Sequence, residues 1–443
     1  MNTKTIALGL AGTLLASCAT TTASSPAPVA QPAPAAKKAS VAELVQQRKY
    51  ESAFKQLAEE DPGNANPDVV LQKIEIVTRY FAMSINYTLF AIKDLAPGED
   101  LMALRNTISA ADGLTTVSLD VPKVLSPLME KNPADLRLTE ALGNYYYERM
   151  VRFPGMQADP KQAAELLEKA AAGGSARAES LSRLGNCFLM LEDPDKALKA
   201  YEAALQKDPE DPSTSYNAAA IYLRKEELDK ALALARKAYD GYGKPGHAQG
   251  EGAELVPRQR SEAIRMVGMA QAMKEDLAAA RESFKQAVAL FPDDGNARRF
   301  QYDVELKLGL KSEAVATATE AIVHEPHDLD AYGRMLGVFD HYKALPELRA
   351  LLEALLPKYA EDAEVTGTLH FFAGETCFAQ EAMAPARAHY DQARSAFTKA
   401  APDHPALRIV DGAAARLPEE KAKPEPKAGG KKPQEPKAGA KKK

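Results

Sequence analysis

Three cysteines, seven histidines and one glycine-rich run are where this 443-residue chain could do chemistry. Cys187 and Cys377 stand far apart inside helical patterns, so mutual pairing is not expected and buried free thiols are the default. His324 and His327 flank Pro326; a zinc site needs at least one more ligand, and no metal-ligand spacing surrounds them. They read as an exposed pair at a turn. Gly241, Gly243, Gly246, Gly250 and Gly252 are followed by no Gly-Lys-Ser/Thr run, which points to a flexible loop and not a phosphate cradle. No Gly-x-Ser-x-Gly, His-Glu-x-x-His or paired-acid motif stands in a credible context. The expectation is therefore no catalytic residue, no metal and no cofactor: not an enzyme.

Cys18 is the third cysteine, and its setting differs. Lys4 gives a positive start, and Ile6–Leu15 is an apolar run interrupted only by Gly and Thr. Spanning a bilayer takes about 20 apolar residues, so this run is a signal-peptide core and not an anchor helix. Its end, Leu15-Ala16-Ser17-Cys18, resembles the lipobox of bacterial lipoproteins. That resemblance implies removal of 1–17 and attachment of acyl chains, palmitate among them, to Cys18. Ala19 follows, not the Asp that favours inner-membrane retention in enterobacteria, so it implies the periplasmic face of the outer membrane. Residues 19–40 are almost wholly Ala, Thr, Ser, Pro, Val, Gln and Lys and read as a flexible tether, reaching at most roughly 70 Å if wholly polyproline II.

A 34-residue period organises the body of the chain. Leu184-Gly185, Phe188, Ala197, Tyr201, Ala204 and Pro209 are answered one period later by Ala218-Ala219, Tyr222, Ala231, Ala235, Ala238 and Gly243. After an insert of about 15 residues the pattern resumes at Ser261 with Val267-Gly268, Ala280, Phe284, Ala287 and Pro292, and weaker units continue to Ala393. Small residues at the eighth, twentieth and twenty-seventh places let two antiparallel helices approach; larger ones at the seventh, eleventh and twenty-fourth fill the gap. Proline stops the second helix. One hairpin cannot bury its own apolar face, so the units must stack into an all-α solenoid.

This spacing resembles the tetratricopeptide repeat over roughly 136–400, with the Ala178 and Ser261 units closest to the pattern and the Gly295 and Leu329 units degenerate. Residues 159–188 are also similar to Sel1-like repeats through Lys169-Ala170-Ala171-Ala172-Gly173 and Leu184-Gly185. The resemblance implies a concave groove lined by first helices, with Asn186 and Asn217 matching the asparagines by which such domains hold a peptide. The flanking cations of that carboxylate clamp are absent: Ser182, Glu262 and Met266 stand there. Arg265 and Arg299 occupy the fifth place of successive units and could offer donors to a carboxylate. Both asparagines could equally bridge neighbouring repeats.

Residues 41–135 form an expected helical capping region. Ser40–Asp61 reads as a shortened unit, Pro67–Leu95 as one helix carrying Val70, Ile74, Val77, Phe81 and Ile85, and Leu101–Lys131 as shorter helices. No charge occurs from Tyr80 to Ile92, a stretch that would be either membrane-inserting or buried on all sides; its thirteen residues favour burial. Residues 417–443, with nine Lys against four Glu, read as a disordered tail carrying +5. The formal charge of −5 is thus a basic start and a basic tail around a body at −13, a poor surface for nucleic acid.

The combined expectation is a membrane-anchored periplasmic scaffold that binds a protein or peptide in its groove and assembles an envelope complex. The lipid on Cys18 meets the membrane, and the tail makes at most weak contact with anionic envelope polymers. The alternative is a ligand-binding accessory of a transport system, similar to the T components of tripartite periplasmic transporters; a peptidoglycan-associated factor has only the basic tail in its favour.

Overall fold

A computed structural model describes residues 39–101, 114–153, 160–248 and 252–418, without the side chains of 247 and 248. The signal-peptide, tether and most of the tail expectations lie outside the described residues.

The chain opens with α1 (Val41–Gln46) and α2 (Tyr50–Glu60), a short hairpin as the spacing predicts, then α3 (Pro67–Thr78). The single helix expected over Pro67–Leu95 is not found. The helix stops at Thr78, and the uncharged stretch becomes part of a three-stranded antiparallel sheet: β1 (Phe81–Ala82), β2 (Leu89–Ile92) and β3 (Thr115–Ser118) in spatial order β1-β2-β3. Two local forces divert it. Ser84 Oγ accepts from the amides of Thr88 and Leu89, both at 3.2 Å, closing a turn that competes with helix. Tyr87 takes a left-handed conformation (φ 57°), and the aromatic and β-branched residues around it suit a pleated surface. The sheet packs Tyr87, Phe90 and Ile92, each fully buried, against Tyr50, Val77 and Leu125 of one apolar cluster.

α4 (Val121–Lys131) leads into the hairpin stack: α5 (Leu136–Arg152) with α6 (Pro160–Ala172), α7 (Ala178–Met190) with α8 (Pro194–Lys207), and α9 (Pro212–Arg224) with α10 (Leu228–Tyr242). The glycine-rich insert is not all loop. It holds α11 (Pro245–Ala248) and a 3-10 turn at Ala253–Leu255, and the Gly252 amide donates to Asp100 Oδ2 at 3.4 Å, back in the capping region. Then come α12 (Val256–Met273) with α13 (Leu277–Leu290), α14 (Gly295–Lys307) with α15 (Lys311–His324), α16 (Leu329–His341) with α17 (Leu345–Leu355), and α18 (Ala363–Ala379) with α19 (Met383–Ala400). An unpaired helix, α20 (Ala406–Ala415), covers the last hairpin by burying Ala406, Val410 and Ala413.

Aspartates start these helices. Asp193, Asp211, Asp276, Asp294, Asp328 and Asp362 each accept a hydrogen bond from the amide three residues on, satisfying a donor the helix cannot. First helices end on a left-handed residue before the turn: Glu192, Glu226, Glu275, Gly309, Lys343 and Glu381. Buried apolar side chains fall into four main clusters along the chain, within Tyr50–Tyr145, Met150–Ala297, Tyr302–Ala373 and Cys377–Leu417.

Candidate functional site: the first-helix face

The first helices α7 and α9 bring Asn186 and Asn217 together, as their spacing predicts, but not as two free amides. Asn186 Nδ2 donates to the Tyr147 hydroxyl of α5 at 2.8 Å. Its Oδ1 accepts from the Tyr201 hydroxyl at 2.6 Å and from Asn217 Nδ2 at 3.1 Å. One side chain thereby bridges three successive hairpins. Burial raises the Tyr147 and Tyr201 hydroxyls above the ordinary tyrosine range, so both stay protonated and able to donate. Cys187 beside them is fully buried, its thiol pushed up to about 12 by desolvation; Cys377 is buried likewise.

Further along, α12, α14 and α16 enclose a cleft of about 400 Å³. Its lining holds Arg258, Arg265, Arg298, Arg299 and Arg334 among five carboxylates. Arg265 is not free: its Nε donates at 3.0 Å to Asp294 Oδ2, while Asp294 Oδ1 caps α14 through the Ala297 amide. Arg258 pairs with Glu262 at 3.0 Å and Arg334 with Asp328 at 3.3 Å. Arg298 donates to the Pro292 carbonyl. Arg299 stands apart. Its guanidinium lies 4.1 Å from the Phe300 ring centroid, Phe300 stacks on Phe284 at 5.5 Å, and its Nε is buried with no hydrogen-bond partner. Among the described residues no carboxylate comes within ion-pair distance of it. Arg334 extends the row one place out of register, 35 residues after Arg299, and a strict 34-residue count passes over it.

A second cleft, about 520 Å³, lies between α3, α5 and α7. Its cations are tied down: Arg152 donates to the Thr78 and Tyr80 carbonyls at 2.8 and 2.7 Å, and Arg183 to Glu148 at 2.6 Å. Asn144, which follows Gly143 as Asn186 follows Gly185, is buried; its Nδ2 donates to Ser180 Oγ at 2.9 Å and its Oδ1 is unpartnered.

His324 and His327 sit on the surface, facing Asp293 at 3.8 Å and Asp362 at 3.6 Å, and do not converge. The histidines that do meet lie elsewhere: His370 Nδ1 and His389 Nδ1 are 3.2 Å apart, and His389 Nε2 lies 3.1 Å from Glu353. Among the described residues no three His, Cys, Asp or Glu side chains gather to hold a metal, and no helix is long and apolar enough to cross a membrane.

Family models of the tetratricopeptide repeat match residues 178–211 and 268–332. These two stretches are tetratricopeptide repeats, and the hairpins around them stack in the same way. Arrays of this repeat are protein–protein interaction scaffolds, a class that is in general non-catalytic. No curated protein matches the chain. Similar solved structures include a tetratricopeptide repeat protein from Parabacteroides merdae, 18% identical, covering 62% of this chain and 98% of its own, with a TM-score of 0.39. MamA from Desulfovibrio magneticus is 19% identical over 43% of this chain and 97% of its own, TM-score 0.35. YrrB, described as having an unusual peptide-binding site, is 18% identical over 56% and 99%, TM-score 0.32.

Proposed function

We propose that this chain is a lipid-anchored periplasmic scaffold, held on the outer membrane through Cys18, that binds a carboxylate-bearing protein or peptide segment for assembly of an envelope complex. The observation behind the binding step is Arg299. Four arginines of the α12–α14–α16 cleft are already paired with acids or a carbonyl, whereas Arg299 is held in place by aromatic stacking and, among the described residues, has no carboxylate within ion-pair distance, Asp303 acting on it only from further off. A pre-positioned, unpaired guanidinium in a partly desolvated cleft suits a bidentate carboxylate from outside. Arg265 assists indirectly, by neutralising the buried Asp294 that would otherwise repel an anion. Asn186 and Asn217 serve the array and not the ligand.

The experiment is crosslinking with mass spectrometry on intact envelopes, comparing wild type with Arg299→Ala. Loss of a specific crosslinked partner in the variant is the expected result; an unchanged partner set overturns the role of the cleft. Fractionation of Cys18→Ser tests the anchor separately: release from membranes supports it, and unchanged membrane association overturns it.

A further inference from the structure

The hairpin that replaces the expected helix leaves one feature unused by peptide binding. Met83 and Ile85 are each 59% exposed and Leu89 is 39% exposed, all at one end of the β1–β2 hairpin. Met83 and Leu89 are cross-strand neighbours, with the Met83 amide donating to the Leu89 carbonyl at 2.7 Å. Single exposed apolar residues are ordinary on any protein. Those of the repeat edges, such as Met190, Met273 and Leu308, stand within two residues of Glu192, Lys274 and Lys307. The hairpin differs in having no charged residue from Tyr80 to Ile92, and its neighbouring strand Thr115–Ser118 has none either.

The tip is also rigidly presented. Behind it, Tyr87, Phe90 and Ile92 are fully buried, and the Tyr145 hydroxyl lies 3.1 Å from the Asn86 carbonyl and 3.3 Å from that of Tyr87. The exposed side chains therefore cannot fold back into the core without breaking this support. Such a display costs contact with water that a partner must relieve.

We infer that this tip is a bilayer contact: Met83, Ile85 and Leu89 insert shallowly into the interface of the membrane that carries the Cys18 lipid. The inference rests on the lipoprotein reading of Cys18. The chain's own layout favours lipid over another occupant. The base of the hairpin is joined to the start of the described chain, because the Leu95 amide donates to the Arg48 carbonyl at 3.0 Å and Lys49 bridges Asp94. α1 begins only a few residues earlier, at Val41. The 22 residues from Ala19 to Ser40 then set the greatest distance from lipid to protein at roughly 70 Å, so the hairpin stays within reach of the bilayer. Uncharged apolar side chains on a supported turn enter the headgroup–acyl boundary without a desolvation penalty for charge, and the stretch is too short to go further.

The chain has no Trp, so full-length lipidated Ile85→Trp carries a single indole reporter. It is mixed with phosphatidylethanolamine/phosphatidylglycerol vesicles containing brominated acyl chains. The expected result is emission at shorter wavelength with quenching by the bromines. Adding Met83→Glu should abolish both and lower vesicle partition of the Cys18→Ser form about tenfold, with helical circular dichroism unchanged. Unshifted, unquenched emission from lipidated protein that co-floats with vesicles overturns the hairpin contact and leaves the anchor standing. A short-wavelength shift in buffer alone that grows with protein concentration overturns it in favour of a second copy. Equal flotation of lipidated and Cys18→Ser protein, with quenching retained, shows the anchor reading failing while the hairpin contact holds.

Discussion

Gly268 lies directly beneath the ring of Phe284: a Cβ added to it would stand 2.6 Å from Cε1 and 2.8 Å from Cδ1. Gly374 has the same relation to Tyr390, and Gly185 to Tyr201. Where the eighth place carries a methyl group instead, as at Ala219, the twenty-fourth place shrinks to Ala235, and where it is Tyr302 the partner is Ala318. In these units the two helices of a hairpin thus approach across a small residue on at least one side, which differs from unit to unit. Gly268→Ala should cost about 1–3 kcal/mol, the usual penalty of an overpacked core, measured by urea unfolding. In Gly185→Ala/Tyr201→Ala the loss should fall short of the sum of the single losses, since each substitution makes room for the other.

The turn residues carry a second, independent strain. Glu192, Glu226 and Glu381 have φ of 59° each, where a side chain is disfavoured; Gly309 holds the corresponding place in its unit at φ 75°. Left-handed backbone costs a non-glycine residue about 1 kcal/mol or more. Glu192→Gly should raise stability by about 0.5–1 kcal/mol after the entropy of the unfolded glycine is counted, and Gly309→Ala should lower it. A thermal-melting series reads both signs.

Asn186 and Arg299 should separate stability from binding. Asn186→Ala leaves the buried Tyr201 and the half-buried Tyr147 hydroxyls short of a partner, a loss of about 1–3 kcal/mol, visible as a lower denaturation midpoint whether or not a ligand is present. Arg299→Ala removes no hydrogen bond or ion pair found in the described structure, and its midpoint should move by less than about 1 kcal/mol while partner capture falls. An equal destabilisation of both variants would contradict this division of roles.

Acid should loosen the last two hairpins. His370 titrates below the ordinary histidine range, because burial disfavours its charge and His389 adds repulsion, against a smaller opposing pull from Glu353. The groups facing it are Glu353 and, behind that, Arg349 of α17, with His389 of α19. Since the folded state binds this proton less readily than the unfolded one, stability is intact above about pH 6.5 and declines as pH falls toward the depressed folded value. His370→Gln should flatten that decline in urea midpoints taken between pH 7 and pH 5; an unchanged slope would place the acid sensitivity elsewhere.

Much of the array could be read from spacing because each hairpin repeats the same packing problem. The pairs Gly185–Tyr201 and Gly268–Phe284 announce themselves as a small residue and a ring sixteen places apart, whatever the neighbours do. The hairpin at 81–92 could not be read that way. Val70, Ile74 and Val77 keep helical spacing, and Phe81 and Ile85 continue it by coincidence; what ends the helix is the local Ser84 turn together with a long-range contact, the Arg152 guanidinium that caps the Thr78 and Tyr80 carbonyls from more than 70 residues away. The site was half readable. Spacing places Asn186 near Asn217 and Arg265 in the row of Arg299, but it does not say who else wants those groups. Tyr147 and Tyr201 claim Asn186, and Asp294 claims Arg265, through side-chain contacts that the repeat spacing does not encode.

The division of the apolar interior into four successive clusters bears on how the molecule comes apart. Near the boundary between the second and third, only a small apolar group around Ala280, Phe284 and Val304 lies across the joint, and beside it Glu305 is buried and takes hydrogen bonds from Arg281, Gln301 and Thr317, so part of the joint there is polar. A polar joint transmits less of its neighbour's stability than a continuous hydrocarbon one, since its net gain over hydration is small. Heating or denaturant should therefore release the chain in blocks, with a populated species in which the segment after about Tyr302 has opened while the earlier hairpins remain folded.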